Sequence, residues 1–153
     1  MAQQVLAVIP ARLGSKRFSG KVLYPWRGKP LLFWVHKTVA RSKLIDRLII
    51  ATDNDEIERA AIGFGAEVVR TSSKHRTGSD RVAEVFDKLG GDIVLNIQGD
   101  NFGLTGSALD RVIAAMKRDR KIECATLVNR IVDDCELFDP NKVKVVVDGD
   151  SNV

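Results

Sequence analysis

The chain has 153 residues, of which 44% are hydrophobic and 29% are charged, as in globular proteins that bury one core. Its 24 basic and 20 acidic residues leave a net charge of +4, too small an excess to indicate a nucleic-acid-binding protein. No apolar run has membrane-spanning length, and two isolated cysteines, Cys124 and Cys135, match neither a zinc site nor a disulfide framework, so we expect reduced thiols in a cytoplasmic protein.

The chain begins with a predicted strand and a long loop. Residues 5–9 are rich in β-branched side chains, which is typical of a strand buried on both faces. A polar loop with several glycines follows, to about Lys29. Pro30 stands where a first helical residue is favoured, and the apolar spacing of residues 31–39 predicts the first helix, with Trp34 and the earlier Trp26 interpreted as packing residues.

Three further helices are predicted from their caps and their apolar spacing. The second helix is expected to begin at a capping box of Asp53 and Glu56 and to end at Gly65. The third should be capped by Thr77 or Ser79 and should extend through Leu89. Thr105 should cap the fourth. Short apolar runs predict strands at 48–51, 67–70, 92–97, 123–128 and 143–147. This alternation indicates an α/β fold with three layers, in which helices cover both faces of a mostly parallel sheet.

We interpret residues 1–153 as a single α/β domain, because no linker or repeat interrupts the alternation. The chain closes on turn-forming residues with no strand after them. We therefore expect it to be the N-terminal part of a longer enzyme.

Three loops follow predicted strands and should meet at one edge of the sheet, where open parallel sheets bind their ligands. The first, residues 10–21, matches neither the Walker A pattern nor the dinucleotide-binding glycine pattern. Its glycines allow close backbone approach, and its cations are Arg12, Lys16, Arg17 and Lys21. This chemistry favours phosphate binding, chiefly by Arg12 and Lys21, over a solvated basic loop.

The second loop covers residues 75–81. Its hydroxyls and arginines, beside Gly78, suit a base edge or a ribose. An ordinary helix cap with Arg76 and Arg81 as surface charges explains the same residues, and both interpretations stay open.

The third loop covers residues 96–100. Asp100 lies just beyond a buried strand and next to Gly99, a position that suits Mg²⁺ held by one carboxylate with phosphate oxygens and water. The alternative is a carboxylate that only stabilises a turn.

Taken together, seven ordered stretches resemble the 3-deoxy-manno-octulosonate (Kdo) cytidylyltransferases. The stretches are IPARLGSKRFSGK at 9–21, RGKPLL at 27–32, ATDNDEI at 51–57, FGAEVV at 64–69, HRTGSDR at 75–81, DIVLNIQGD at 92–100 and DPNKVKVVVD at 139–148. They cover almost the whole chain in the order found in that family.

The resemblance implies a Rossmann-like nucleotidyltransferase fold of the GT-A type and a Mg²⁺-dependent reaction. In that reaction CTP and a 3-deoxy sugar acid give a CMP-sugar and pyrophosphate, for lipopolysaccharide or capsule synthesis. It also implies a cytoplasmic homodimer that binds neither nucleic acid nor a membrane.

The resemblance also implies roles for individual residues. Those expected at the triphosphate are Arg12, Ser15, Lys16 and Lys21; those at the cytidine are Arg76, Thr77 and Ser79. Gln98 should lie beside the nucleotide or the sugar, and Asp100 should ligate Mg²⁺. Lys21, Arg12 and Asp100 are the expected catalytic residues.

The chain also departs from the family pattern. Asn101 and Phe102 replace the usual Glu-Pro, and Ser19 and Val22 replace prolines near Gly20. The family's second half, which supplies much of the sugar pocket, a second metal aspartate and the dimer interface, has no counterpart here. We therefore expect the isolated chain to be inactive or nearly so. Two alternatives are the same chemistry on an amino-sugar analogue and an inactive remnant that still binds nucleotide.

Overall fold

The computed structural model describes residues 3–14 and 20–148. The chain divides into two compact units, Met1–Glu123 and Cys124–Val153, which are considered separately below. Within the described ranges, no helix combines the length and the apolar character needed to cross a membrane.

The described residues of the first unit form six strands and four α-helices. The strands are β1 (Val5–Pro10), β2 (Pro25–Trp26), β3 (Lys29–Pro30), β4 (Arg47–Thr52), β5 (Glu67–Arg70) and β6 (Ile93–Asn96). The helices are α1 (Leu31–Val39), α2 (Asp55–Gly63), α3 (Gly78–Leu89) and α4 (Gly106–Arg118). Four strands form a parallel sheet in the order β5-β4-β1-β6, and β2 and β3 form an antiparallel hairpin.

Helices cover both faces of the parallel sheet, which confirms the predicted three layers. Successive side chains of a strand point to opposite faces, so β1 contributes to two separate cores. On one face the buried residues of β1, α1, β4 and α2 are Ala7, Ile9, Leu32, Val35, Val39, Ile50, Ile57 and Ala61. On the other face those of β1, β4 and α3 are Leu6, Val8, Ile49, Ala51, Val82 and Val85.

The strand order reverses between β1 and β6. From β1 the chain proceeds to β4 and β5 on one side, and then places β6 on the other side of β1. In open α/β sheets, ligands bind outside the carboxyl ends of the strands at such a reversal. The residues that follow β1 and β6 are therefore positioned for a binding crevice, and these are the first and third loops.

Side-chain caps mark the starts of the longer helices. The Thr77 hydroxyl accepts a hydrogen bond from the amide of Asp80, and the Asp80 carboxylate accepts one from the amide of Thr77, a capping box that begins α3. Thr105 caps α4 as predicted, accepting from the amide of Ala108. Of the two predicted caps of α3, Thr77 is the correct one.

The predicted start of α2 is wrong by one residue. The cap is Asn54, whose Oδ1 accepts from the amides of Glu56 and Ile57 at 2.9 and 3.1 Å. Asp53 instead pairs with Arg81. The predicted start of α1 is likewise wrong by one residue. Pro30 ends β3 and occupies the position just before the helix, so the first helical residue is Leu31.

The predicted loop to Lys29 contains regular structure. A 3₁₀ helix covers Lys21–Leu23, and the β2–β3 hairpin follows it. The hairpin turns at Arg27 and Gly28, whose φ angles are 48° and 73°. Two positive φ angles match the twist of a two-residue hairpin loop, although an arginine is an unusual residue at the first position.

The described residues of the second unit form one short helix, α5 (Asp134–Phe138), which was not predicted. Asp133 caps it by accepting a hydrogen bond from the amide of Cys135. The strands predicted at 123–128 and 143–147 are wrong, since the described residues there form no strand. Val143 and Val146 are 93% and 86% exposed. Apolar runs become strands only where a ladder pairs their backbone groups, and the described residues of these two runs have no such pairing.

Candidate functional site at the carboxyl edge of the sheet

The first and second loops meet where β1 ends. Nη1 of Arg12 donates a hydrogen bond to the main-chain oxygen of Arg76 at 3.1 Å. Gly78 lies so close to β1 that an added Cβ would stand 3.2 Å from Cγ of Pro10 and 3.5 Å from Nε2 of Gln98. A larger residue would push the start of α3 away from the strand end, so the glycine permits this close approach.

The first and third loops meet through a salt bridge between two exposed side chains. Nζ of Lys21 lies 2.9 Å from Oδ2 of Asp100, although the two residues are 79 positions apart in the chain. Gly99 supports this approach, because a Cβ there would stand 3.2 Å from Cγ1 of Val22 and 3.5 Å from the main-chain oxygen of Pro10. The predicted phosphate-binding lysine and the predicted metal ligand thus share one location.

A chain of polar side chains joins the second and third loops. Nδ2 of Asn96 donates to the hydroxyl oxygen of Ser79 at 3.1 Å, and Nε2 of Gln98 donates to Oδ1 of Asn96 at 3.2 Å. All three side chains are exposed. This row combines hydroxyl and amide groups, which can donate and accept, as recognition of a base edge or a ribose requires.

The start of α3 is held in its conformation by hydrogen bonds. The amide and then the hydroxyl of Thr77 lower the pKa of Asp80, which remains ionised and complements the helix dipole. Since Thr77 and Ser79 flank Gly78, these bonds orient two of the predicted cytidine residues. Arg76 lies just before them and is exposed.

Arg81 is buried, which contradicts its interpretation as a surface charge. Its side chain is 4% exposed, and its guanidinium contacts the hydroxyl of Thr71 and lies 3.0 Å from Oδ1 of Asp53. These partners follow β5 and β4, so Arg81 joins α3 to two neighbouring strand ends. The sequence contained a signal for this burial, since Arg81 lies on the same face of the helix as the apolar residues Val82 and Val85.

His75 is held by Glu84, in the second turn of α3. Its Nε2 lies 2.5 Å from Oε2 of Glu84, and the same carboxylate accepts from the amide of Ser72 and from Nζ of Lys88. These bonds, that from Lys88 foremost, lower the pKa of Glu84 to about 2. The carboxylate therefore fixes the loop that leads from β5 to the site.

Two predicted triphosphate residues, Ser15 and Lys16, lie outside the described residues. The remaining predicted site residues all lie along the carboxyl edge of β1, β5 and β6. They are Arg12, Lys21, Arg76, Thr77, Ser79, Gln98 and Asp100. Among the described residues no group of three or more His, Cys, Asp or Glu side chains could enclose a metal ion. Any cation bound at Asp100 would therefore have to complete its coordination with water and ligand oxygens.

Comparison with known proteins assigns the chain to a family. A family model described as Cytidylyltransferase matches residues 6–153. The chain belongs to the cytidylyltransferase family.

Two similar relatives of this cytidylyltransferase-family chain carry the name 3-deoxy-manno-octulosonate cytidylyltransferase. That of Geobacter sulfurreducens is 40% identical over 144 residues, and that of Pelobacter propionicus is 42% identical over 148 residues. The matches cover 94% and 97% of this chain but only 58% of each relative. The chain thus spans less than two thirds of the length of the relatives it matches.

A solved structure supports the fold. The structure of CMP:2-keto-3-deoxy-manno-octonic acid synthetase complexed with CTP aligns with a TM-score of 0.74 and 32% identity. It covers 76% of this chain, and this chain covers 48% of it. The predicted nucleotidyltransferase fold and the predicted resemblance to the Kdo enzymes are confirmed, while the roles of individual residues in this cytidylyltransferase-family chain stay predictions.

Proposed function

We propose that this chain forms the CTP-binding part of an enzyme that activates Kdo or a related 3-deoxy sugar acid as its CMP derivative. One observation carries the proposal: Lys21 and Asp100, from different loops, meet at 2.9 Å beside the strand reversal between β1 and β6. A cation and a carboxylate at one point suit a triphosphate that arrives with a divalent metal ion.

The proposed triphosphate contacts are Arg12 and Lys21. Arg12 follows β1 directly and its guanidinium already lies beside the second loop, while Lys21 begins the 3₁₀ helix after Gly20. Both side chains are exposed enough to meet a ligand. An arginine binds phosphate oxygens with a planar fork and a lysine as a point charge, so the two complement each other. Ser15 and Lys16, in the same loop, are proposed to lie near these phosphates.

The proposed cytidine contacts are Arg76, Thr77 and Ser79, with Gln98 beside the nucleotide or the sugar. Their support is the row of side-chain amides and hydroxyls that joins Ser79 to Gln98 through Asn96. Once a bound base covers such groups, they discriminate between bases because a wrong base leaves donors or acceptors unpaired.

Asp100 is the proposed Mg²⁺ ligand. Its carboxylate is exposed and offers oxygen ligands, which suit a hard cation that also binds phosphate oxygens and water. When bound, the ion would neutralise charge that develops on the phosphate groups. In the structure Asp100 has Lys21 as its partner, so a metal ion and a nucleotide would each replace one half of this salt bridge.

In the proposed reaction, the anomeric hydroxyl oxygen of the sugar acid forms a bond to the α-phosphorus of CTP as the bond to pyrophosphate breaks. The contribution of this chain is to hold the triphosphate in line and to stabilise its charge. No protein nucleophile is required. We further propose, for the whole enzyme, the cytoplasmic, lipopolysaccharide- or capsule-related setting that the resemblance implies. The family-like homodimer would need the interface that the resemblance assigns to the family's second half.

The first experiment measures nucleotide binding by isothermal titration calorimetry. With Mg²⁺, the chain should bind CTP at least about tenfold more tightly than UTP or ATP, and Lys21→Ala or Asp100→Asn should weaken CTP binding by about tenfold or more. Arg59→Gln is the matched control, because Arg59 is an exposed cation of α2 and belongs to none of the three loops. Equal binding of the three nucleotides would overturn the cytidylyltransferase proposal.

The second experiment measures turnover. Pyrophosphate release is followed with CTP, Mg²⁺ and either Kdo or its amino-sugar analogue, and the isolated chain is expected to show little or none with either sugar. Substantial CMP-Kdo formation would contradict that expectation while supporting the assigned chemistry. CTP binding without turnover is the result expected both for the N-terminal part of a longer enzyme and for a remnant that still binds nucleotide. Absence of CTP binding would contradict both.

A further inference from the structure

A second group of side chains, distinct from the nucleotide-site residues, surrounds a pocket of about 280 Å³. The pocket lies between the β2–β3 hairpin, α1 and residues 101–104. We name it the aromatic–cationic pocket after its main lining residues, which are Trp26, Arg27, Trp34, Lys37, Arg41 and Phe102. Its volume is slightly below the range of roughly 300–1,000 Å³ of drug-sized ligand sites, so it suits a small molecule.

Three aromatic rings form the walls of the pocket. The ring of Trp26 contacts that of Trp34 edge to face, with centroids 5.3 Å apart, and contacts that of Phe102 in the same way at 6.0 Å. Nε1 of Trp34 also donates to the main-chain oxygen of Trp26 at 2.9 Å. Packing thus explains how the rings hold each other, as the sequence predicted for the tryptophans.

Packing does not explain the exposure of these rings. Trp26 remains 40% exposed and Phe102 50% exposed, on the same pocket. Exposed large apolar surface that is concentrated at one concave place is typical of a binding site. The edge-to-face contacts hold these rings in fixed orientations beside the pocket.

Three cationic side chains also line the pocket, and none of its lining residues carries a carboxylate. Arg27 has its Cζ 4.6 Å from the Trp26 ring centroid, and Lys37 has its Nζ 5.6 Å from that of Trp34. In the part of the chain that the structure describes, none of Arg27, Lys37 and Arg41 forms a salt bridge. The pocket therefore presents three uncompensated positive charges beside apolar walls, which favours an anion.

The backbone at Arg27 is strained. Its φ angle of 48° is one that arginine rarely adopts, and asparagine or glycine is the usual residue at this position of a hairpin turn. Strained residues concentrate at ligand sites, where a side chain must be held in place. Here the turn holds the guanidinium over the Trp26 ring.

We propose that the aromatic–cationic pocket binds a small organic anion in which a flat apolar ring carries a carboxylate. The ring lies against Trp26 and Phe102, and the carboxylate accepts hydrogen bonds from Arg27 and Arg41. Arginine suits this task because its planar fork matches a carboxylate. The site needs neither CTP nor Mg²⁺, so its test is independent of the proposed nucleotide site.

The test uses 2-naphthoate as the probe, in the absence of nucleotide. Titration calorimetry should give saturable 1:1 binding, whereas the uncharged 2-naphthamide should bind at least about tenfold more weakly because it lacks the charge-assisted hydrogen bonds. The chain has only two tryptophans, and both line the pocket. Both indole N–H signals in an ¹⁵N-resolved NMR spectrum should therefore shift on titration.

Variants locate the site. Arg41→Gln and Arg27→Gln should each weaken 2-naphthoate binding by about tenfold, with otherwise unchanged spectra that show an intact fold. Arg59→Gln, which removes an exposed cation on α2 that does not line the pocket, should bind as the unchanged chain does. A second probe, gluconate, offers a carboxylate without a flat ring.

Three results would overturn the proposal. Equal binding of 2-naphthoate and 2-naphthamide would show that the cations are not used. Binding of gluconate or inorganic phosphate as tight as that of 2-naphthoate would show that the rings are not used. Absence of binding by 2-naphthoate, or binding that leaves both indole signals unmoved, would show that the pocket is not the site.

Discussion

A buried guanidinium connects three elements at the edge of the sheet. Arg81, from α3, contacts Thr71 after β5 and Asp53 after β4. Buried charges are tolerated only when they are paired and hydrogen-bonded, and these two partners meet that need. Residues Thr77 and Ser79 belong to the same helix start, so Arg81 acts as a positioning residue for the proposed cytidine contacts.

Replacing Arg81 with methionine tests this role. The substitution keeps the apolar stem but leaves the Asp53 carboxylate, 26% exposed, without its partner. Breaking such a pair should lower the free energy of unfolding by about 3 kcal/mol, near the lower limit for buried pairs because Asp53 is partly solvated. Urea denaturation followed by circular dichroism measures the change. Arg59→Met, on an exposed face, should stay within about 0.5 kcal/mol, and similar losses in both variants would show that the buried pair adds no more stability than an exposed cation does.

Glu84 gives the stability a specific pH dependence. Its pKa is lowered from 4.5 to about 2 by its bonds to Lys88, Ser72 and His75, so the folded state holds the charged form more strongly than the unfolded state does. This stabilisation is complete above about pH 4.5 and is lost as the pH falls toward 2. The difference in unfolding free energy between the unchanged chain and Glu84→Gln should therefore shrink over that range.

Asp87→Asn is the matched control for Glu84. Asp87 lies exposed on the same helix and has no salt bridge with another described residue. Unfolding is measured at several pH values between 2 and 6 in each variant. A difference between the unchanged chain and Glu84→Gln that stays constant with pH would show that the hydrogen bonds of Glu84 do not act as described.

At the scale of elements, α4 begins where it passes very close to the end of α1. An added Cβ at Gly106 would lie 2.7 Å from the carbonyl carbon of Arg41 and 2.8 Å from the amide nitrogen of Ser42. The same contact is held by Asp110, which accepts hydrogen bonds from the Ser42 hydroxyl and from the amides of Lys43 and Leu44. The atoms nearest to this added Cβ all belong to the backbone of Arg41 and Ser42, so no flexible side chain could move away to make room for it.

Gly106→Ala should therefore destabilise the chain, although alanine is the better helix former. The clash should cost about 1–3 kcal/mol, which exceeds the gain of up to about 1 kcal/mol in helix propensity. Gly63→Ala, at the end of α2, has no atom within 4 Å of the new Cβ and should be neutral or slightly stabilising. Thermal unfolding of both variants measures the contrast. Equal melting temperatures would show that the two elements separate more easily than this packing implies.

At the scale of the whole molecule, the buried core belongs to the first unit. Every buried apolar side chain among the described residues lies between Val5 and Ile113. The described residues of the second unit include several large exposed apolar side chains, among them Phe138 at 80% and Val143 at 93%. A core of this kind is the requirement for independent folding.

A chain that ends at Glu123 should consequently fold without the second unit. We expect a cooperative urea transition and dispersed NMR signals, including both tryptophan indoles. Binding of the hydrophobic dye ANS, with a broad transition, would indicate a molten state and would contradict the expectation. Because the proposed nucleotide residues all precede position 101, this shorter chain should also retain CTP binding.

Local sequence patterns determined much of the first unit. Several features act within a few residues, so the spacing of apolar residues and the chemistry of helix caps suffice to locate them. These features are the β-branched run at 5–9, the caps Thr77 and Thr105, and the glycine-containing loops after β1 and β6. The ordered motifs likewise indicated the family. The proposed site was located on these loops because parallel strands direct their carboxyl ends to one edge.

Only the tertiary structure decided which residues meet. Asp53 was available as a cap, but Arg81, 28 positions later, takes it as a partner and Asn54 caps α2 instead. The contact between Lys21 and Asp100 likewise depends on the strand order and not on any local pattern. The apolar runs at 123–128 and 143–147 have strand-like sequences but no ladder to join. Propensity describes what a segment prefers alone, whereas pairing, burial and charge compensation depend on neighbours that are distant in the sequence.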